Sequence, residues 1–369
     1  MKNANIDISI DTNLDTSIDT NINKDTNTKN IKCKNIKYKN TEYKKIKTSN
    51  IQKKDYYEEI TNKIIKALEN NTRPWIQPWD GGILPIPMRH SNTAYQGINM
   101  LILWQEAGEG GYNLPYWMTF KQAKILGGNV RKGETGATIF YAGSMVVNNG
   151  NEDNADNSDN SEKKETKKTN CKNNSQEQYQ AKKLSSRKFM KSYKVFNANQ
   201  IEGLPEEYYK SQCIENSNIE NNINALEELP KLEEFIKNTK ANIKHGGIKA
   251  YYKPSTDHIQ IPEMKLFKNS NSYYATICHE LTHWSGGKER LNRNLGGKSF
   301  GDSGYAMEEL VAELGAAFLS SSLGINPDVR EDHAPYIASW LLVLKSDKRA
   351  IFNAASMAQT ASNYLLELE

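Results

Sequence analysis

Two histidines four residues apart, His279 and His283, enclose a glutamate in the run HELTH. On a helix, residues four apart project from one face about a turn apart, so both imidazoles can reach one metal ion. Glu280 is turned by one residue. That places its carboxylate beside the ion but off the ligand set, where it can take a proton from a water that the ion has acidified. This is the logic of the H-E-x-x-H zinc site, and with only six histidines in 369 residues the pattern is specific. The expected cofactor is Zn2+, with Glu280 as the catalytic base.

A zinc ion needs a third protein ligand. Downstream, YAMEELVAELGAAFLSSSLG has helical spacing, with Leu310, Leu314, Ala317, Phe318 and Ser321 on one side. Glu309 and Glu313 share another face with Ala312 and Ala316, which are small enough to let two helices approach closely. Glu309 is the expected third ligand, and Glu313 the expected outer carboxylate that orients a ligand histidine. Glu308 is the rival ligand, because a one-residue shift rotates the side chain by about a quarter turn. Glutamates on a solvated stripe are the bland alternative. Tyr305 and His333 are candidates to hydrogen-bond an oxyanion, though a structural role is the plainer reading of each. His258 reads as an ordinary strand histidine in DHIQIP, a stretch expected as an edge strand that offers backbone groups to an extended peptide. Cys278 adjoins a ligand but points elsewhere on the helix and reads as buried.

These residues need elements to hold them. Ser272 can cap a helix with apolar Tyr274, Ile277, Cys278 and Leu281, and Gly286-Gly287 can stop it. Further upstream, Tyr57, Ile60, Ile64, Ala67 and Leu68 predict an amphipathic helix over 55–70. RPWIQPWD follows, where Pro74 and Pro78 frame Trp75 and Trp79. Ile98–Trp104 is a second apolar run expected to be helical. Trp117–Ile125 is a third, after Pro115 and with Thr119 as a candidate cap. NVRKGETGATIFYAG reads as strand, Gly-containing turn and strand. Thr138–Tyr141 and Tyr193–Asn197 read as two halves of a hairpin, interrupted by an Asn/Ser/Lys/Glu-rich tract over 148–185. A long insertion at a hairpin tip costs little stability.

The expected organisation is α+β with two domains. Residues 1–54 form a polar leader, including DTNLDTSIDTNINKDTN, that cannot bury enough surface to offset its ordering entropy and is expected to be disordered. Its basic end, 32–54, suits either an arm on phosphates or a solvated tail. A first domain spans 55–205, with the tract 148–185 expected as a disordered insertion. A linker covers 206–229, and a second domain 230–369. Hydrophobic residues make up 37% of the chain, and the two polar tracts account for much of the low mean hydropathy of −0.75. The net charge of +4 does not by itself name an acidic partner. The four cysteines form no C-x-x-C pair, which argues against a disulfide framework. Neither a signal peptide nor a run of membrane-span length is evident, so a cytoplasmic protein with no membrane partner is expected.

Longer stretches carry a resemblance. ITNKIIKALENNTRPWIQPWD, TAYQGINMLILW, YWMTFKQAKILGGNVRKGETGATIFY and YKVFNANQIEGLP resemble the N-terminal single-stranded-DNA-binding domain of ArdC-type antirestriction proteins of plasmids and other mobile elements. AYYKPSTDHIQIP, YYATICHELTHWSGGKERLNR and YAMEELVAELGAAFL resemble that family's zincin-like metallopeptidase domain. GGILPIPMRHSNTAY departs from the shorter turn expected there, and the leader and the mid-domain tract match nothing in the family. The resemblance implies an α+β nucleic-acid-binding domain joined to a gluzincin-like domain. It also implies His279, His283 and a glutamate of the second helix as zinc ligands, with Glu280 catalytic. Its expected partners are single-stranded DNA and a protein or peptide substrate. Single strands are gripped by cationic grooves with aromatics on which bases stack. Candidates are Arg73, Tyr95, Tyr112, Lys121, Arg131 and Lys132, within a wider set that includes Trp75, Trp79, Trp104, Tyr116, Trp117, Phe120, Arg89 and Lys124; most of the rings read as core, and Tyr95 and Tyr112, flanked by turn-formers, are the better stacking candidates. The function implied is antirestriction for a mobile element. The alternative is a zinc metalloprotease that DNA binding delivers to DNA-bound proteins.

Overall fold

The structure is a computed structural model that describes residues 55–76, 84–147, 185–210, 226, 228–293, 302–326 and 334–368. The expected leader, nearly all of the expected insertion, much of the expected linker, Trp79 and His333 lie outside the described residues.

Asp55 caps helix α1 (Tyr56–Glu69), accepting from the backbone N–H groups of Tyr57 and Glu58, and the helix buries Ile60, Ile64, Ile65 and Leu68 as its spacing predicts. The second apolar run forms α2 (Ile98–Gly110). Thr119 is a helix cap, as expected, but only part of the third run is helical. Its first residues belong to strand β2 (Tyr116–Met118), and only then does Thr119 cap the short helix α3 (Phe120–Ile125), with Gln122 completing a capping box. Beside β2 lies β1 (Met88–Arg89). The hairpin halves pair as expected: β4 (Ala137–Val147) runs antiparallel to β5 (Ser185–Asn197), with Ile139 opposite Tyr193. The strand order is β1-β2-β5-β4. The strand of the NVRKGETG stretch, β3 (Asn129–Val130), pairs with β6 (Ile201–Glu202) and not with β4.

After α4 (Pro230–Thr239) come β7 (Asn242–His245), β8 (Tyr251–Lys253) and β9 (His258–Ile261). Their order is β7-β9-β8, with β7 parallel and β8 antiparallel to β9. The DHIQIP stretch is thus the central strand, correcting the edge expected for it; its short, polar neighbours gave no alternating signal. Helix α5 (Ser270–Ser285) carries HELTH and α6 (Ser303–Leu323) the two glutamates, followed by α7 (Ala334–Ser346) and α8 (Ala350–Leu366). The cap of α5 is Asn269, whose side chain accepts from the N–H of Ser272, so Ser272 lies inside the helix it was expected to start.

The two sequence segments share one core. Ile64, Leu68, Trp75, Leu101 and Trp104 pack in the same apolar cluster as Leu310, Leu314, Phe318, Trp340 and Ile351. Side chains such as Leu101, Leu314 and Phe318, at most 1% exposed, contribute ~1.5–3 kcal/mol each by leaving water. Polar ties cross the same boundary: the Thr61 hydroxyl donates to the Lys348 carbonyl, the Gly97 N–H to Gln359, and the Ser321 hydroxyl to the Leu84 carbonyl. α6 is therefore fixed from both sides, and so are the glutamates it carries.

Candidate metal centre

One turn of α5 separates His279 from His283, and their Nε2 atoms lie 3.2 Å apart. Helix α6 brings Glu309 against both, its Oε2 3.6 Å from His279 Nε2 and its Oε1 3.6 Å from His283 Nε2. These are the donor types that divalent cations such as zinc take. A tetrahedral shell with bonds of about 2.0–2.1 Å keeps its ligand atoms roughly 3.3 Å apart, so the observed spacing fits one such ion. Ala312 is fully buried on α6, as the small-residue face predicts.

A second layer of charge holds the histidines. Glu308, the rival ligand, lies with Oε1 3.0 Å from His283 Nδ1, the ring atom away from the cluster. Arg293 grips Glu308 with two bonds, Nε to Oε2 at 2.8 Å and Nη2 to Oε1 at 2.6 Å, and Nη2 also donates to the Thr282 carbonyl. Burial would raise the Glu308 carboxyl, but Arg293 and His283 hold it below the usual carboxylate range. Glu313 stands near the other histidine, its Oε2 3.9 Å from His279 Nδ1. Burial works against charge on His283, yet the hydrogen bond to Glu308 and the Glu309 carboxylate prevail and push its pKa up to about 10. Burial alone would likewise raise Glu309, but the flanking imidazoles hold it far down.

Glu280 is buried and lines one cleft together with His279, His283, Glu308, Glu309 and Tyr305. Burial, and then the charge of neighbouring Glu309, drive the Tyr305 hydroxyl well above its ordinary pKa, so it stays protonated and able to donate. The cleft measures ≈ 1440 Å³, beyond the 300–1,000 Å³ usual for small ligands, and residues 248–252 form part of its wall. Among the described strands β8 pairs only with β9, so β8, and not the expected β9, is the strand edge at the cleft.

The expected nucleic-acid contacts scatter. Arg73 is buried and ion-paired with Glu313 at 3.1 Å, which removes it from any surface; an arginine beside aromatics reads alike for a phosphate contact and a core ion pair. Tyr95 is also buried, its hydroxyl donating to the Trp117 carbonyl. Tyr112 is half-buried, edge-on to Trp117. Lys121, Arg131 and Lys132 are exposed, with Arg131 paired to Glu134 at 2.6 Å. Tyr141 and Tyr193, outside the expected set, are 45% and 44% exposed. With Tyr193 opposite Ile139 and Tyr141 opposite Lys191, all four share one face of the β4–β5 ribbon. Arg293 was missed because it follows α5 in an irregular stretch.

Residues 54–196 match the N-terminal domain of anti-restriction factor ArdC, and residues 230–357 match a zincin-like metallopeptidase family. The metal-free crystal structure of the antirestriction ArdC protein from plasmid R388 is similar, with a TM-score of 0.65 and 38% identity over 85% of this chain and 97% of that one. The chain belongs to the ArdC antirestriction family. The R388 ArdC protein has also been solved with Mn(II) bound, and that structure matches at 37% identity with a TM-score of 0.63. An uncharacterised Sinorhizobium fredii protein, y4eC, is 36% identical over 321 residues, covering 84% of this chain and 91% of y4eC. A DNA primase TraC of Escherichia coli is 33% identical over 321 residues, but the chain spans only 27% of its length. For this ArdC-family chain, the zincin-like match and the His279–His283–Glu309 cluster together support a divalent metal site. No helix among the described residues is long and apolar enough to cross a membrane.

Proposed function

We propose that this ArdC-family protein binds single-stranded DNA through residues 55–205 and hydrolyses peptide bonds at a zinc site made by His279, His283 and Glu309, in the service of antirestriction for a mobile element. The observation that carries the reading is the convergence of those three side chains beside buried Glu280 in one large cleft. Zinc bound there supplies a Lewis acid that polarises a carbonyl and acidifies water. Glu280 takes the proton from the attacking water and delivers it to the leaving amine. Tyr305 donates its hydroxyl proton toward the developing oxyanion. Glu308 and Glu313 keep the imidazoles oriented. The edge of β8 offers backbone groups to an extended peptide lying along the cleft.

Support for the nucleic-acid half is the ArdC N-terminal match together with exposed Tyr141 and Tyr193 beside Lys191, a face on which bases can stack near positive charge. The test uses the full chain loaded with zinc, comparing wild type with Glu280→Gln. The variant is expected to lose ~10²–10⁴-fold in cleavage of an unfolded protein substrate while retaining oligonucleotide binding. Binding is expected to favour single over double strands and to weaken steeply with salt. A wild type that cleaves nothing refutes the peptidase half, and salt-insensitive or duplex-preferring binding refutes the other. Antirestriction lost in Glu280→Gln would favour the DNA-delivered protease over a protein that only coats strands.

A further inference from the structure

We infer that Arg73 and Trp75, which lie in the segment matching the ArdC N-terminal domain, are positioning residues for the metal centre, acting through Glu313 some 240 residues downstream. The inference rests on the reading of His279, His283 and Glu309 as metal ligands.

After α1 the chain turns at Asn71, held at φ 55°, and Arg73-Pro74-Trp75 enters the shared core. The Trp75 ring is 1% exposed and packs edge-on against Trp340 at 6.1 Å. Its indole Nε1 donates to Glu313 Oε1 at 3.2 Å, and Arg73 Nη1 donates to the same oxygen at 3.1 Å. The side chains of this ion pair are only 6% and 7% exposed. Buried charges are costly unless paired and hydrogen-bonded, so these two donors anchor Oε1 of Glu313. Both donors can only donate, so Oε1 of Glu313 acts as their acceptor.

With Oε1 occupied, Oε2 is the oxygen that faces His279 Nδ1, at 3.9 Å. That ring nitrogen is buried and has no hydrogen-bond partner among the described residues. A histidine that gives Nε2 to a cation carries its proton on Nδ1, and the acceptor of that proton fixes the ring. A shift of about 1 Å brings Oε2 within hydrogen-bond reach. Each of the two ligand histidines thus has, on the Nδ1 side of its ring, a glutamate held by an arginine. For His283 the arginine is Arg293, just after α5. For His279 it is Arg73, from the other segment. The metal centre is a joint product of both modules, and its affinity depends on residues far from the H-E-x-x-H helix.

The test measures Co²⁺ affinity of the full chain by chelator competition, together with the visible absorption of the bound ion, which reports its coordination geometry. Arg73→Met is expected to weaken Co²⁺ binding ~10–100-fold and alter the spectrum. Arg73→Lys keeps the charge but loses the guanidinium fork, and should fall between. Trp75→Phe preserves ring packing and removes only the N–H, giving a smaller loss. Lys63→Gln, which breaks the surface pair with Glu106 in the same segment, should change nothing. Thermal unfolding identifies any variant that fails to fold; if Arg73→Met does, Trp75→Phe decides. Wild-type binding with unchanged affinity and spectrum in the folded Arg73→Met and Trp75→Phe variants overturns this inference alone. A wild type that binds no Co²⁺ overturns the metal reading and this inference with it.

Discussion

Gly315 on α6 lies directly against Thr282 on α5, so close that a Cβ at position 315 would stand 2.5 Å from Thr282 Cγ2. Thr282 is fully buried and its hydroxyl is bonded to the Cys278 carbonyl, so it has little room to yield. Thr282 precedes His283 and Gly315 follows Glu313 by two residues, so this contact sets the helix separation at the metal centre. Gly315→Ala is therefore expected to lower stability by ~1–3 kcal/mol in urea unfolding and to weaken metal binding, as overpacking does. Removing the threonine methyl and hydroxyl in the double variant Thr282→Ala/Gly315→Ala should recover part of both losses. A single variant as stable and as metal-competent as wild type would contradict the role given to this contact.

Metal loading should release protons. In the metal-free protein the carboxylates around His283 push its pKa up to about 10, so at pH 7 it carries a proton that a cation must displace. Because protons compete with the ion, affinity should rise with pH and level off as pH passes that value. Calorimetry of Zn²⁺ binding in two buffers of different ionisation heat measures the release directly. A binding heat independent of buffer at pH 7 would show that His283 is already neutral.

Cys278, beside a ligand histidine, should be inert. It is 2% exposed, and burial pushes its thiol up to about 12. At pH 8 the thiolate fraction is then on the order of 10⁻⁴. Iodoacetamide followed by peptide mapping is expected to leave Cys278 unmodified in the native protein and to modify it in denaturant. Labelling of Cys278 without unfolding would count against the packing of α5.

The helix bearing HELTH and the glutamate pair was legible in the sequence because both signals are local: a four-residue spacing within one element, and an apolar stripe that fixes which face is left for Glu309 and Glu313. The hairpin was legible for a similar reason, since Thr138–Tyr141 and Tyr193–Asn197 are short local runs of strand-forming aromatic and β-branched residues. What could not be read is what depends on a partner far along the chain. Nothing near Arg73 announces a carboxylate at Glu313, so its aromatic neighbourhood pointed outward to nucleic acid when it is in fact buried. Strand β9 looked like an edge because its neighbours β7 and β8 are short and polar, and hydrogen bonding alone makes it central. For α3 the cap at Thr119 was read but not its partner Gln122, whose capping box divides the Trp117–Ile125 run at the point where strand gives way to helix.

The central claim is that His279, His283 and Glu309 hold one divalent cation, and native mass spectrometry of the zinc-loaded, desalted full chain tests it most directly. Wild type should retain one zinc ion per chain, and His279→Ala/His283→Ala none at the same protein and zinc concentrations. A wild type that emerges metal-free, or a double variant that keeps its ion, would contradict the account.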